Sequence, residues 1–184
     1  MKRIFIALKV EAGETLLNLI STLKSGLRNE NVKWTCLENI HITLAFLGDT
    51  EEKLISNIST LLRKECEGFG NFELVIKGAG VFKNISDPRV LWTGIEPSDK
   101  LTELNALITN VLKNADGNIE IRAFRPHLTI GRIKYIKNKV LLKTFIDKYK
   151  NAEFQREQIS ELILYESILS HSGPVYRPLG IFKL

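Results

Sequence analysis

HITLAFLG, residues 41–48, sets a histidine and a threonine two positions apart in a run that otherwise reads as an apolar strand. HLTIGR, residues 127–132, repeats the pair in the same kind of setting. Successive side chains of a strand point to opposite faces. Regular alternation therefore puts His41, Thr43 and Ala45 on one face and Ile42, Leu44 and Phe46 on the other. In the second run, His127 and Thr129 oppose Leu128 and Ile130. The aliphatic faces belong in a core. The polar faces must meet solvent or line a cavity whose occupant suits an imidazole and a hydroxyl.

Outward from these runs, strands alternate with helices. Residues 3–10 (RIFIALKV) predict a strand. Leu16, Ile20, Leu23 and Leu27 then recur at helical spacing, with Gly26 and Asn29 near the helix end. VKW at 32–34 is a short strand ahead of the motif strand at 40–47. Asp49 or Thr50 is the expected cap of a helix whose stripe is Leu54, Ile58, Leu61 and Leu62. Strands at 71–82 and 89–95 flank the turn NISDP, and a helix starts near Ser98 with Leu101, Leu104, Ile108, Val111 and Leu112 on one face. A DGN turn at 116–118 leads into the second motif strand. A Lys-rich helix around 138–149 and strands at 159–169 and 175–183 close the chain.

This order contains a repeat. Arg3 and Arg89 each open a strand–helix–strand passage and each precede their motif histidine by 38 residues. A helix follows each motif, and then a strand beginning near Phe72 or Phe154. The pattern reads as two intertwined pseudo-repeats, roughly 3–82 and 89–170, plus a closing strand, in one domain spanning 1–184. A length of 184 residues fits one domain or two small lobes on a shared core.

Composition narrows the class. With 44% hydrophobic and 26% charged residues, the chain has the make-up of an ordinary globular protein. The net charge of +5 permits a polyanionic partner without demanding one. Cys36 and Cys66 lack the spacing of a metal site or a disulfide framework, so a reducing, cytoplasmic setting is expected. The apolar run near the N-terminus is broken by Lys9, and no small-residue cleavage site follows, which argues against a signal peptide. No apolar stretch has the length to span a bilayer, so no membrane association is expected.

Either histidine alone fits an exposed or hydrogen-bonded residue on a half-buried strand. Two pairs are harder to dismiss. Threonine supplies 11 of 184 residues and there are three histidines, so two His-x-Thr pairs arise by chance roughly once in a hundred such chains. Both pairs also fall at matching points of the repeat. Near neutral pH one imidazole can be neutral and its partner protonated, since the ordinary pKa is about 6.5. Such a pair removes a proton from an attacking group while giving one to a leaving oxygen. The hydroxyls of Thr43 and Thr129 are hydrogen-bond donors for an anionic oxygen. An anion between two imidazoles and two hydroxyls suits a phosphodiester.

The chain resembles the two-histidine phosphoesterases, and within them the bacterial and archaeal RNA 2′,3′-cyclic phosphodiesterases first described as 2′-5′ RNA ligases. The resemblance runs over nearly the whole chain: FIAL at 5–8, VKW at 32–34, HITLAFLG at 41–48, PRVLW at 88–92, FRPHLTIGR at 124–132 and LYES at 164–167. It implies a bilobal α+β fold, two pseudo-symmetric lobes of antiparallel sheet with helices outside and a cleft between. It also implies hydrolysis of a 2′,3′-cyclic phosphate to a 2′-phosphate without metal or other cofactor. By the same resemblance His41 is the general acid, His127 the general base, and Thr43 and Thr129 hold the phosphate. The partners implied are RNA ends or nucleotides bearing the cyclic phosphate, and a monomer is expected.

Two other readings stay open: 2′-5′ phosphodiester cleavage or ligation at the same site, and an RNA-end binding module without turnover. Arg132 closes the second motif as a candidate phosphate cation. Simple alternation sets it on the Leu128 face, against that role, unless a bulge at Gly131 re-aims it. Phe46 and Phe124 are base-stacking candidates, but parity and setting favour the core. His171, in SHSGP, lacks a threonine partner and reads as a loop histidine, and a three-histidine zinc site has no supporting spacing. The lysines at 134–150 read as a solvated helix face, with nucleic-acid backbone contact as the minor reading.

Overall fold

The computed structural model describes residues 1–116, 119, 123–171 and 173–184. Gly117 and Asn118 of the expected DGN turn lie outside them. The first half runs β1 (Lys2–Lys9), α1 (Glu14–Gly26), β2 (Asn31–Trp34), β3 (His41–Thr50), α2 (Glu52–Cys66) and β4 (Phe72–Lys83). The second runs β5 (Pro88–Ile95), α3 (Asp99–Ala115), β6 (His127–Tyr135), α4 (Lys139–Tyr149), β7 (Glu153–Ile159), β8 (Glu161–Ser170) and β9 (Gly173–Lys183).

The expected helices form for the expected reason, an apolar stripe on one face. α3 buries Leu101, Leu104, Ile108, Val111 and Leu112, and the Ser98 hydroxyl accepts the Leu101 N–H at 3.2 Å. Such a cap contributes about 1 kcal/mol. At α2 the expected cap is wrong. Asp49 and Thr50 belong to β3, the N-cap is Glu51 without a side-chain bond, and the Thr50 hydroxyl donates instead to the Gly48 carbonyl. The strand expected at 159–169 is β8, which begins two residues later at Glu161 because Ile159 ends β7.

Among the described residues, the strands form one antiparallel sheet in the order β7-β4-β5-β6-β3-β1-β8-β9, with β2 beside β6. β4 leaves the first half to pair with β5, and β8 leaves the second half to pair with β1. Two arms result, joined where β3 meets β6 through the single pair Ile42–Leu128. That junction lies at the two motifs. Ile42 and Leu128 are both fully buried in one core that also takes in Leu16 and Leu23 of α1, Ile58 and Leu62 of α2, the α3 stripe and Leu142 of α4. The helices thus cover one face of the sheet and leave the motif face open. No described helix is long and apolar enough to cross a membrane.

Candidate active site

The Ile42–Leu128 pair sets the geometry of the site. Because the strands are antiparallel, His41 lies beside Thr129 and Thr43 beside His127. All four side chains are half-buried and project away from the core. The histidines stand on a diagonal, for which regular pairing gives about 7–8 Å between backbones. The electrostatics agree: a charge on His127 acts directly on His41.

Each ring is oriented the same way. Nδ1 of His41 donates to the Asn39 carbonyl at 2.7 Å, and Nδ1 of His127 donates to the Arg125 carbonyl at 2.7 Å. A carbonyl accepts only, so Nδ1 carries the hydrogen and Nε2 of each neutral ring keeps its lone pair. Asn39 is itself fixed, its amide donating to the Pro174 carbonyl of β9 at 2.9 Å.

Aromatic walls finish the orientation. The ring of Tyr176 stands edge-on to His41 with centroids 5.3 Å apart, and Phe5 lies on another side at 5.0 Å. Phe82 stands edge-on to His127 at 4.6 Å and is backed by Trp92. Burial depresses the pKa of both imidazoles below the ordinary value of 6.5, against the opposing pull of the carbonyl each one meets. The positive charge of Arg132 pushes both further down. None of Phe5, Phe82 or Tyr176 is legible as a site residue in the sequence, because each reaches its histidine from another strand.

β-Bulges decide which other side chains share the motif face. In β3, Ala7 pairs Thr43 and Ile6 pairs Ala45, so Leu44 is the extra residue. Paired residues share a face, so Ala45 turns to the core side with Ile6, and Phe46 joins Phe5 on the motif side. This overturns the parity reading of both. Phe46 is 38% exposed, with the Arg3 guanidinium 5.0 Å from its ring centroid. In β6, Trp92 pairs Thr129 and Leu91 pairs Gly131, so Ile130 is extra. Arg132 pairs Val90, which alternates with Trp92, and so lies on the Thr129 face. The re-aiming bulge is centred on Ile130 rather than Gly131. Each bulge follows its threonine directly and brings the residue five beyond its histidine onto the open face, an aromatic ring in one arm and a guanidinium in the other.

A cleft of about 790 Å³ adjoins the motifs, lined by Thr43, Phe46, Phe82, Phe124, Arg125 and His127 among others. Phe124 is half-buried and also packs on the core. His171 sits exposed in the turn between β8 and β9. Among the described residues, no three His, Cys, Asp or Glu side chains gather around a common point.

The chain is similar to known proteins over nearly its whole length. A family model described as LigT-like phosphoesterase matches residues 6–92 and 95–176. The RNA 2′,3′-cyclic phosphodiesterase of Methanothermobacter thermautotrophicus is 33% identical over 184 residues, 99% of this chain and 98% of its own. Its namesake from Thermotoga maritima is 34% identical over 181 residues, 96% and 92% of the two chains. The crystal structure of TT0787 of Thermus thermophilus superposes with a TM-score of 0.81 over 99% of this chain and 97% of its own. At 23% identity, that last likeness speaks to fold alone.

Proposed function

Because the chain belongs to the LigT-like phosphoesterase family, we propose that it is an RNA 2′,3′-cyclic phosphodiesterase working by two-histidine acid–base catalysis. The observation that carries this reading is the matched pair of imidazoles, each tied at Nδ1 to a backbone carbonyl, on one open face with two threonine hydroxyls. The relatives' substrate supplies the phosphodiester.

In this mechanism neutral His127 takes a proton from water at Nε2 as the water oxygen attacks phosphorus. Protonated His41, on the other side of the phosphate, gives its Nε2 proton to the departing 3′-oxygen. The P–O3′ bond breaks and a 2′-phosphate with a free 3′-hydroxyl results. The diagonal of the two rings, about 7–8 Å at the backbone, suits an in-line displacement in which attacking and leaving oxygens are apical. Thr43 and Thr129 donate to the non-bridging oxygens, and Arg132 offsets their developing charge. Phe46 and Phe124, in a cleft of about 790 Å³, offer ring faces to the terminal base. The site belongs to one two-lobed domain of intertwined pseudo-repeats acting as a monomer. A cytoplasmic setting fits the two free thiols, exposed Cys36 and buried Cys66.

The test compares His41→Ala and His127→Ala on two substrates, with chelator present throughout because no metal takes part. Loss of a general acid costs about 10²–10⁴ in rate on the cyclic phosphate, whose alkoxide needs a proton. A nitrophenyl phosphodiester releases a stable anion, so His41→Ala should retain far more activity on it, while His127→Ala should be poor on both. Rescue of His127→Ala by the good leaving group would reverse the roles. NMR locates the product phosphate, and a 3′-phosphate would overturn the assigned leaving oxygen.

A further inference from the structure

The motif face of β6 does not end at the site. A second bulge follows the first: Val32 pairs Ile133 and Asn31 pairs Tyr135, leaving Lys134 as the extra residue. The two bulges together bring Thr129, Arg132 and Tyr135, every third residue, to the same open face. Regular alternation would have turned Arg132 away. β2 adds Lys33, which pairs Arg132 and so shares its face. Lys33, Arg132, Lys134 and Tyr135 are all exposed, and the Tyr135 ring is 60% exposed although it is the kind of side chain a core readily takes.

The ribbon gathers three cations, Lys33, Arg132 and Lys134, on two adjacent strands. Elsewhere several cations are answered: Arg156 by Glu73 and Glu153, Arg177 by Glu166, Lys77 by Glu96, Lys143 by Asp147, and Lys83 and Arg89 by Asp87. Lys33, Arg132 and Lys134 have no ion-pair partner among the described residues, and neither β2 nor β6 contains a carboxylate. The nearby Glu30 is engaged by the backbone N–H groups of Lys137 and Asn138. On its far side, the Lys33 ammonium meets Gly173 of β9, where an added Cβ would lie 3.6 Å from Nζ. That glycine leaves the ammonium uncovered. The ribbon is continuous with the site, since the Arg132 charge is felt by both motif histidines.

We propose that this β2–β6 ribbon binds the nucleotides preceding the cyclic-phosphate end, which makes single-stranded RNA, rather than a cyclic mononucleotide, the preferred substrate. The inference rests on the phosphodiesterase reading above. Lys33 and Lys134 meet backbone phosphates, and Tyr135 offers a face on which a base stacks without sequence preference. A mononucleotide engages the site and its 790 Å³ cleft but leaves the ribbon empty.

The experiment measures kcat and KM on a 2′,3′-cyclic mononucleotide and on a short oligoribonucleotide ending in the same cyclic phosphate, for the wild type, the Lys33→Ala/Lys134→Ala double variant and Tyr135→Ala. The double variant should raise the oligonucleotide KM about tenfold and leave its kcat and both mononucleotide constants within twofold. Single-strand contacts contribute about 0.7 each to the log–log salt slope, so that slope should fall by about 1.4 for the oligonucleotide alone. Tyr135→Ala should raise the oligonucleotide KM without altering the slope. Equal effects on both substrates, or none on either, would overturn the proposal. Anisotropy of the labelled oligonucleotide, read with the protein in excess, separates the two claims. A wild type that turns over neither substrate defeats the enzymatic reading, while salt-dependent binding lost in the double variant upholds the ribbon.

Discussion

His41 and His127 are equivalent in backbone tether but not in surroundings. His41 is held between Phe5 and Tyr176, whereas His127 meets Phe82. Burial and the Arg132 charge lower both pKa values in the free protein, so each ring gives up its proton below pH 6.5. Catalysis needs one ring protonated, and kcat/KM reports the free enzyme while kcat reports the complex. A bound phosphate anion restores the proton by favouring imidazolium. The basic limb of kcat/KM should therefore lie below pH 6.5 and the basic limb of kcat at higher pH. Both profiles should be bell-shaped and belong to the pair rather than to either ring. Limbs that coincide, or a kcat/KM limb well above 6.5, would contradict this account of the site.

At the scale of elements, the working parts are two strands with bulges in matching places. A bulge leaves a carbonyl outside the ladder, and a buried one needs a donor. Leu44 finds the Asn105 amide of α3 at 3.4 Å, and Ile130 finds the Thr35 N–H at 2.9 Å. The second bulge also requires β2 to come close at Gly131. A Cβ there would lie 2.9 Å from Val32 Cγ1 and 3.3 Å from Trp34 Cε3. Neither neighbour is the loose end of a flexible chain. Gly131→Ala should cost about 1–3 kcal/mol through overpacking and should lower kcat/KM by shifting Arg132. Urea melts and steady-state kinetics check it, and an unchanged midpoint would show that β2 yields without cost.

For the whole molecule, the two arms share one apolar core. β4 and β8 each cross to the opposite arm, and the α1, α2, α3 and α4 stripes pack into one cluster with Ile42 and Leu128 at its centre. Neither arm retains a complete core when separated. Equilibrium unfolding should accordingly be a single transition. Trp34 and Trp92 both belong to the β6 arm, through β2 and β5, while far-UV circular dichroism reports on both arms. Coincident fluorescence and dichroism curves are expected. An earlier fluorescence transition would mean that the arms melt independently.

The sequence by itself determined the elements and the two histidine–threonine pairs, because both are local. Period-two alternation selects the strands, stripes at 3.6-residue spacing select the helices, and a motif of three residues needs no distant partner to be read. The interval of 38 residues before each histidine is likewise read from the chain alone. Only the tertiary structure decided that Phe46 and Arg132 lie on the motif face of the sheet, that Ala45 turns to the other face, and that Tyr176, Phe5 and Phe82 enclose the imidazoles. Bulges depend on which neighbour a strand acquires, since an extra residue is defined only against its partner. Aromatic enclosure likewise depends on strands far apart in the chain. The equal five-residue spacing from His41 to Phe46 and from His127 to Arg132 was visible from the start. Its meaning came from the pairing with β1 and β5, which turns both side chains to the open face.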